Sequence, residues 1–475
     1  MSDQQTIAGG VTRATFGPAL LLLGAATVAI GFVVSSSTLP VVGPLVAALW
    51  IAGLLYASLS PGLEIGSVYA GVVALYTIVP LLDYLANGSE YLITSDLRLW
   101  LYQPTPADVA EISWLYVAHL AGFAVAYRIV RGRVRFEPKQ LTVSKSRMVL
   151  LATLLGFVAA YFWILAQIFD LGAADYAGSY LVFQRLPLAV AQLTNHLGGI
   201  RFTLEIALIA GLLVLGRRYY PVIGLGLLAV AIVSFAKLWS RTDFVLLTAG
   251  TIMLYGWVVR RVRPAVLLGL GSGLLALFLI AGLLRGGAGT SELREGPRLV
   301  ARGNEFETLF GNAYDLKRRL EAGMVDQLSA GFWLTDVLAL VPQQVSPIAK
   351  VSPADWYGTR FFPDFVAQGY GFAFGSVSES VLGFGSADAA LRGVALGILA
   401  AIVHRWAARR RSSFWALVVY AWATLSLYHC FRNTTFATIS LFAYRVIPVV
   451  IVTEVLRRAL WRKTPVDSEP VYAGA

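Results

Sequence analysis

Apolar residues run through this chain in long blocks, separated by short polar or basic segments. A helix needs about 20 mostly apolar residues to cross a bilayer. Twelve blocks meet that measure: 14–34, 40–60, 64–83, 112–130, 148–169, 198–216, 221–238, 243–259, 264–284, 387–404, 413–430 and 437–456. The first follows Arg13 and has no small-residue cleavage site. It is also longer than the roughly 7–15-residue core of a secretory signal, so it reads as a retained helix. The pattern predicts an all-α, polytopic integral membrane protein in three parts. Residues 1–285 carry the first nine spans, 286–386 form one large external loop, and 387–475 carry the last three spans and a tail.

The large loop has a pattern of its own. Phe306, Leu309 or Phe310, Ala313, Leu316 and Leu320 recur at helical spacing, with Glu307, Asp315, Lys317 and Arg318 between them. That alternation predicts an amphipathic helix lying on the outer membrane surface. A second apolar piece, GFWLTDVLALVP, is too short to span and reads as a re-entrant or interfacial helix.

Composition agrees with the blocks, since only 14% of residues are charged where soluble domains hold about 25%. With one cysteine, Cys430, neither a disulfide framework nor a cysteine-based metal site is available. The net charge of +11 would suggest nucleic acid in a soluble protein, but here it follows the topology. Segments 128–147, 217–220, 260–264, 405–412 and 457–475 are all basic, whereas 286–386 holds eight Lys/Arg against eleven Asp/Glu, a net of −3. Cytoplasmic loops carry the excess of Lys and Arg, so both termini are expected in the cytoplasm. No nucleic-acid partner is needed to explain the charge.

Charges inside a bilayer cost about 2.5–3.5 kcal/mol each on insertion scales, so their positions carry information. His119, Arg201, Glu205, Lys237, Arg392 and Arg445 all fall in the outer halves of their spans. For Glu205, Arg392 and Arg445, the deepest of them, a polar cavity open to the outside is expected. A transporter with alternating access should hold such groups on both sides of the midplane. Arginines also crowd the outer loops, among them Arg241 in KLWSRTDF and Arg432 in HCFRNTTF. A guanidinium grips phosphate oxygens through two hydrogen bonds and keeps its charge, so an anionic ligand near the outer surface is expected. The sequence contains no Walker A, HExxH, G-x-S-x-G or DxD motif. The stretch GYGFAFGSVSESVLGFG, 369–385, combines flexible glycines, aromatic rings and one acid, Glu379, just ahead of a span. His196, in QLTNHLGG, is expected outside, ahead of another.

Twelve spans, a large late external loop, external arginines and the segments KLWSRTDFVLL, RGNEFETL, GYGFAFGSVSESVLGFG and CFRNTTF together resemble the Wzy-type polymerases of bacterial polysaccharide. In that family the late segment typically reads as a glycine run, an aromatic, Ser-Glu and an aromatic-glycine pair. Gly371, Phe372, Ser378, Glu379, Phe384 and Gly385 fit this loosely. Some members pair external arginines with glycines eleven positions on, as Arg285 with Gly296 and Arg360 with Gly371. The related O-antigen ligases use an external histidine followed by glycine at the eighth position, where His196 is followed by Leu204.

The resemblance implies an enzyme of the bacterial inner membrane that joins undecaprenyl-pyrophosphate-linked oligosaccharide repeat units into O-antigen or exopolysaccharide. It would use no cofactor or metal, and a chain-length regulator would be a further partner. Arg241, Arg285, Arg302, Arg360, Arg392 and Arg432 would then bind the pyrophosphate, with Tyr370 and Phe372 stacking on sugar. The acceptor hydroxyl needs a base. Glu379 is the first candidate, Glu305 and Asp364 are its rivals, and His196 follows. A ligase-like glycosyltransferase and a flippase or transporter of lipid-linked oligosaccharide are the alternatives.

Overall fold

The computed structural model describes residues 39–59, 63–87, 104–169, 186–237, 241–260, 305–327, 338–341, 352–367 and 373–461, with parts of 262–276. Among these residues there is no strand, and eight helices are long and apolar enough to cross a membrane. In chain order the helices are α1 (Leu39–Ser58), α2 (Ile65–Asn87), α3 (Pro106–Arg131), α4 (Lys145–Ile168), α5 (Leu188–Leu215), α6 (Tyr220–Lys237) and α7 (Arg241–Val258). After these come α8 (Glu305–Glu321), α9 (Pro353–Phe361), α10 (Pro363–Ala367), α11 (Ser376–Leu382), α12 (Ser386–Arg409), α13 (Phe414–Ser426), α14 (Tyr428–Arg432), α15 (Ala437–Leu441) and α16 (Ile447–Leu460). The expected span 14–34 and most of 264–284 lie outside the described residues.

Two boundaries move, the first for an identifiable reason. Helix α3 starts at Pro106, before the apolar block itself. Thr105 accepts from the Asp108 amide while the Asp108 carboxylate accepts from the Thr105 amide, a reciprocal cap that starts a helix in polar sequence. Helix α5 starts at Leu188, ten residues earlier than the block at 198. His196 therefore stands within a helix and not ahead of one.

Backbone contact holds α3 to α12. A Cβ on Gly122 would strike the Ala390 carbonyl, one on Gly393 the His119 carbonyl, and one on Gly397 would lie 2.6 Å from the Phe123 carbonyl. Contacts at 119 with 393 and at 123 with 397 advance together, so the two helices run parallel. Small residues four apart allow this approach in a membrane, where packing replaces the hydrophobic drive. Helices α4 and α5 run antiparallel, since Met148 lies against Gly211 and Tyr161 hydrogen bonds Thr194 at 2.7 Å. These registers gather the basic ends of the helices at one end of the bundle. There Arg147 at the start of α4 pairs with Glu454 of α16 at 2.7 Å, and Trp415 at the start of α13 donates to the same carboxylate.

Helix α8 corrects the expectation of a surface-lying amphipathic helix. From Phe306 to Leu316 every residue but Thr308 is buried. Its apolar side packs on α2, with Phe306 4.7 Å from the Tyr76 ring. Its polar side is covered as well: Asp315 accepts from Arg319 at 2.8 Å and from Tyr357 of α9 at 2.6 Å. Asn312 donates to the Ala373 carbonyl. Burial, aided by the nearby Asp108 charge, pushes the Tyr314 hydroxyl up to about 12, so it stays un-ionised. Of the second apolar piece, only a single turn at Leu338–Leu340 and Val341 after it lie within the described residues.

Candidate functional site

At the end of the bundle away from the basic helix ends, α4, α5, α7, α13 and α14 surround a cavity of about 540 Å³. Its wall carries Arg201 and Asn195 from α5, His429 from α14 and Arg445, with the aromatic faces of Phe162, Trp422 and Tyr428. Arg445 reaches the cavity from a single π-helical turn, Phe442–Val446, between α15 and α16. Pro448 has no N–H for the Tyr444 carbonyl four residues back, so an ordinary α turn cannot close there. Such one-residue expansions recur at functional sites because they re-aim a side chain. The Arg445 side chain lies directly against Gly199, where any Cβ would overlap it.

Arg201 lines the same cavity, with Nε 3.5 Å from the Glu205 carboxylate one turn on. Its guanidinium lies 6.0 Å from the centre of the Phe162 ring. The His429 ring packs 4.1 Å from that of Tyr428, and its Nδ1 has no hydrogen-bond partner among the described residues. Arg432 follows three positions on along α14, and Arg445 lines the same cavity. Cations, a ring nitrogen and aromatic walls set into an otherwise largely apolar cavity suit a phosphate-bearing ligand with a sugar attached.

A second cluster is closed. Glu379 is 1% exposed. One of its oxygens accepts from Arg392 at 2.5 Å and from the Thr435 hydroxyl and amide at 2.7 and 3.2 Å. Arg392 also donates to Asp388 at 2.6 Å and to the Thr435 hydroxyl at 2.7 Å. The glycines around Glu379 set this geometry. Gly375 and Gly385 adopt φ of +86° and +63°, a region that only glycine enters at no steric cost. They bracket α11 and turn its acid inward, onto α12.

The remaining expected residues are dispersed. Arg432 ends α14 beside His429, while Arg360 on α9 is exposed with its guanidinium 5.6 Å from the Phe361 ring. Asp364 is exposed on α10. His196 faces outward from α5, its ring 5.7 Å from that of Tyr444. Glu305 begins α8 and Arg241 begins α7, but the side chains of both, and Arg285, Arg302, Tyr370 and Phe372 altogether, lie outside the described residues. Sequence reasoning missed His429, three positions before Arg432 in the same quoted segment. It also missed Asp388, whose position four residues before Arg392 on a helix signals a pair. Among the described residues no group of His, Cys, Asp and Glu is placed to hold a metal ion. A scan against protein-family models and searches of curated proteins and of solved structures found no match to this chain.

Proposed function

We propose that this chain is a glycosyltransferase of the bacterial inner membrane that polymerises oligosaccharide repeat units carried on polyprenyl pyrophosphate. Its basic helix ends and both termini face the cytoplasm, and residues 286–386 and the cavity face outward. The observation that carries this reading is the cavity itself, which brings Arg201, Arg445 and His429 together at the end away from the basic helix ends. In the reaction the bond from the donor sugar's anomeric carbon to the pyrophosphate breaks, and the pyrophosphate keeps the electron pair. Arg201 and Arg445 stabilise that developing charge, the kind of preorganised electrostatic help that commonly dominates catalysis. The acceptor hydroxyl bonds to the anomeric carbon and loses its proton. His429 Nδ1 takes it in this reading, and Glu379 is the second candidate, acting only if Arg392 releases it.

A transporter of lipid-linked oligosaccharide is the second reading, and one observation favours it. Glu64, Arg131 and His404 are buried near the basic end, so ionisable groups occur on both sides after all. The test is the purified chain in proteoliposomes given a synthetic polyprenyl-pyrophosphate repeat unit. A ladder of longer glycans that disappears in Arg445→Gln supports the polymerase. Transfer of unchanged repeat unit across the bilayer, with no ladder, supports the transporter and overturns the first reading.

A further inference from the structure

The basic ends of α3 and α12 form one surface. The end of α3 and the segment after it are tied to the end of α12 and the turn that follows it by three hydrogen bonds. His404 Nε2 donates to the Val134 carbonyl at 3.1 Å, Arg405 donates to the Val130 carbonyl at 3.2 Å, and the Lys139 amide donates to the Arg411 carbonyl at 3.1 Å. Arg133, Arg135 and Lys139 on the first segment and Arg409, Arg410 and Arg411 on the second are all exposed. Between 128 and 147 the only carboxylate is Glu137, and between 405 and 413 there is none. Positive-inside bias alone asks for cations in both loops; it does not ask that the two loops be fastened into one face.

The apolar surface leading to this face says what covers it. On α12, positions 398, 402, 405 and 409 fall on one helical stripe, which reads exposed Ile, exposed Ile, exposed Arg, exposed Arg. On α3, Val125 and Ile129 are 58% and 73% exposed beside Arg128. Trp406 stands at the junction with the Arg410 guanidinium 5.2 Å from its ring centre. Lipid-facing aliphatics pass through a tryptophan into guanidiniums, which is the order of acyl chain, interface and headgroup in a bilayer leaflet.

We propose that this face binds the headgroups of anionic phospholipids, with their acyl chains along the Ile398–Ile402 and Val125–Ile129 stripes. The proposal rests on the bilayer reading of the helices and is independent of the glycosyltransferase chemistry. Native mass spectrometry of the full purified chain in uncharged detergent tests it, with phosphatidylglycerol and phosphatidylcholine as probes. The wild-type chain should retain phosphatidylglycerol in clear preference. Each cation near an anionic surface contributes about 5-fold, so Arg409→Gln/Arg410→Gln/Arg411→Gln should weaken that binding roughly 100-fold, with unchanged melting in lipid-free detergent. If the triple variant does not purify, the three single variants should each lose about 5-fold. Arg217→Gln/Arg218→Gln, at the end of α5, should leave the preference within about 2-fold of wild type. Equal binding of the two lipids by wild type, or full retention by the triple variant, overturns the proposal and leaves the face to an acidic protein partner. An equal loss in the α5 pair overturns it too, because the attraction would then be general surface charge.

Discussion

Arg392 and Arg445 are both guanidiniums within apolar sequence, yet their surroundings differ. Arg392 is 1% exposed and has carboxylates on two sides, Asp388 one turn back on its own helix and Glu379 on α11. Arg131 near the basic end follows the same plan, meeting Glu64 through two hydrogen bonds of 2.7 Å. Arg445, by contrast, borders a 540 Å³ cavity, held there by a π turn and a glycine. Taking a guanidinium out of water costs several kcal/mol, and a surrounding set of carboxylates and hydroxyls is what repays it. Arg131 and Arg392 therefore act as fasteners between helices. Arg445 instead lines a cavity that a ligand could enter, and under the proposed reading the chemistry belongs to that cavity and the architecture to the closed clusters.

The comparison breaks most easily at Arg392. Replacing it with methionine leaves the Glu379 and Asp388 carboxylates buried without their cation, and removing one partner of a buried ion pair costs about 3–5 kcal/mol. Arg392→Met should abolish recovery of monodisperse protein. Glu379→Gln keeps the shape and can still accept from Thr435, so it should purify with a lowered melting temperature. If Glu379→Gln melts like wild type but makes no polymer, the acid belongs to the chemistry, and the division between fastener and ligand site is wrong at that residue.

Next in size is the seam that carries Arg392. Gly393→Ala puts a methyl group into the His119 carbonyl, and overpacking of this kind costs about 1–3 kcal/mol. The expected result is a lower melting temperature in detergent. Gly71→Ala on α2, where an added methyl group would meet no atom within 4 Å beyond its own helix turn, should be neutral or slightly stabilising. Equal effects at the two glycines would mean that α3 and α12 do not touch as described.

The apolar blocks were legible because bilayer thickness imposes a local rule that each block meets or fails by itself. Helix α8 was not, because periodicity reports that one face is buried and is silent about the other. Its polar face is satisfied by Tyr357 of α9, a partner that no spacing reveals. The charges at 201, 205, 392 and 445 stood out in the sequence, and a cavity was expected for three of them. Arg445 does line one and Glu205 pairs with Arg201 at its wall, but Arg392 is sealed. Sealing depends on Glu379 being turned inward by two glycines with positive φ, and on Thr435 arriving from the turn between α14 and α15. Neither can be read from the spacing of GYGFAFGSVSESVLGFG. That stretch looked like the mouth of a site; its described part, Ala373–Gly385, is a folded joint.

The cavity arginines should show the opposite balance of stability and activity. Arg445→Gln removes the charge but retains much of the packing on Gly199, so its melting temperature should stay close to wild type. Polymer formation should fall on the order of 10²–10³-fold, the usual loss when one preorganised transition-state contact is removed. A single-turnover assay with the synthetic lipid-linked repeat unit separates this loss from weaker substrate binding. A large melting shift in Arg445→Gln would place that residue with the fasteners.

Arg201→Lys should have the smallest effect on stability and tests the point most finely. The Arg201 side chain is 34% exposed and its partner is one turn away, on the same helix. Pairs of this kind contribute about 0.3–0.5 kcal/mol, and lysine can re-form the contact with Glu205. Stability should therefore be indistinguishable from wild type. Lysine presents a point charge instead of a planar fork, so it cannot hold two oxygens of one phosphate at once. If Arg201 grips pyrophosphate, Arg201→Lys should lose activity while Arg201→Gln loses more. If Lys and Gln are equally inactive, the fork is what matters and charge alone does nothing. If both variants polymerise at the wild-type rate, Arg201 only holds Glu205 in place, and among the cavity residues discussed the ligand-binding charge is reduced to Arg445.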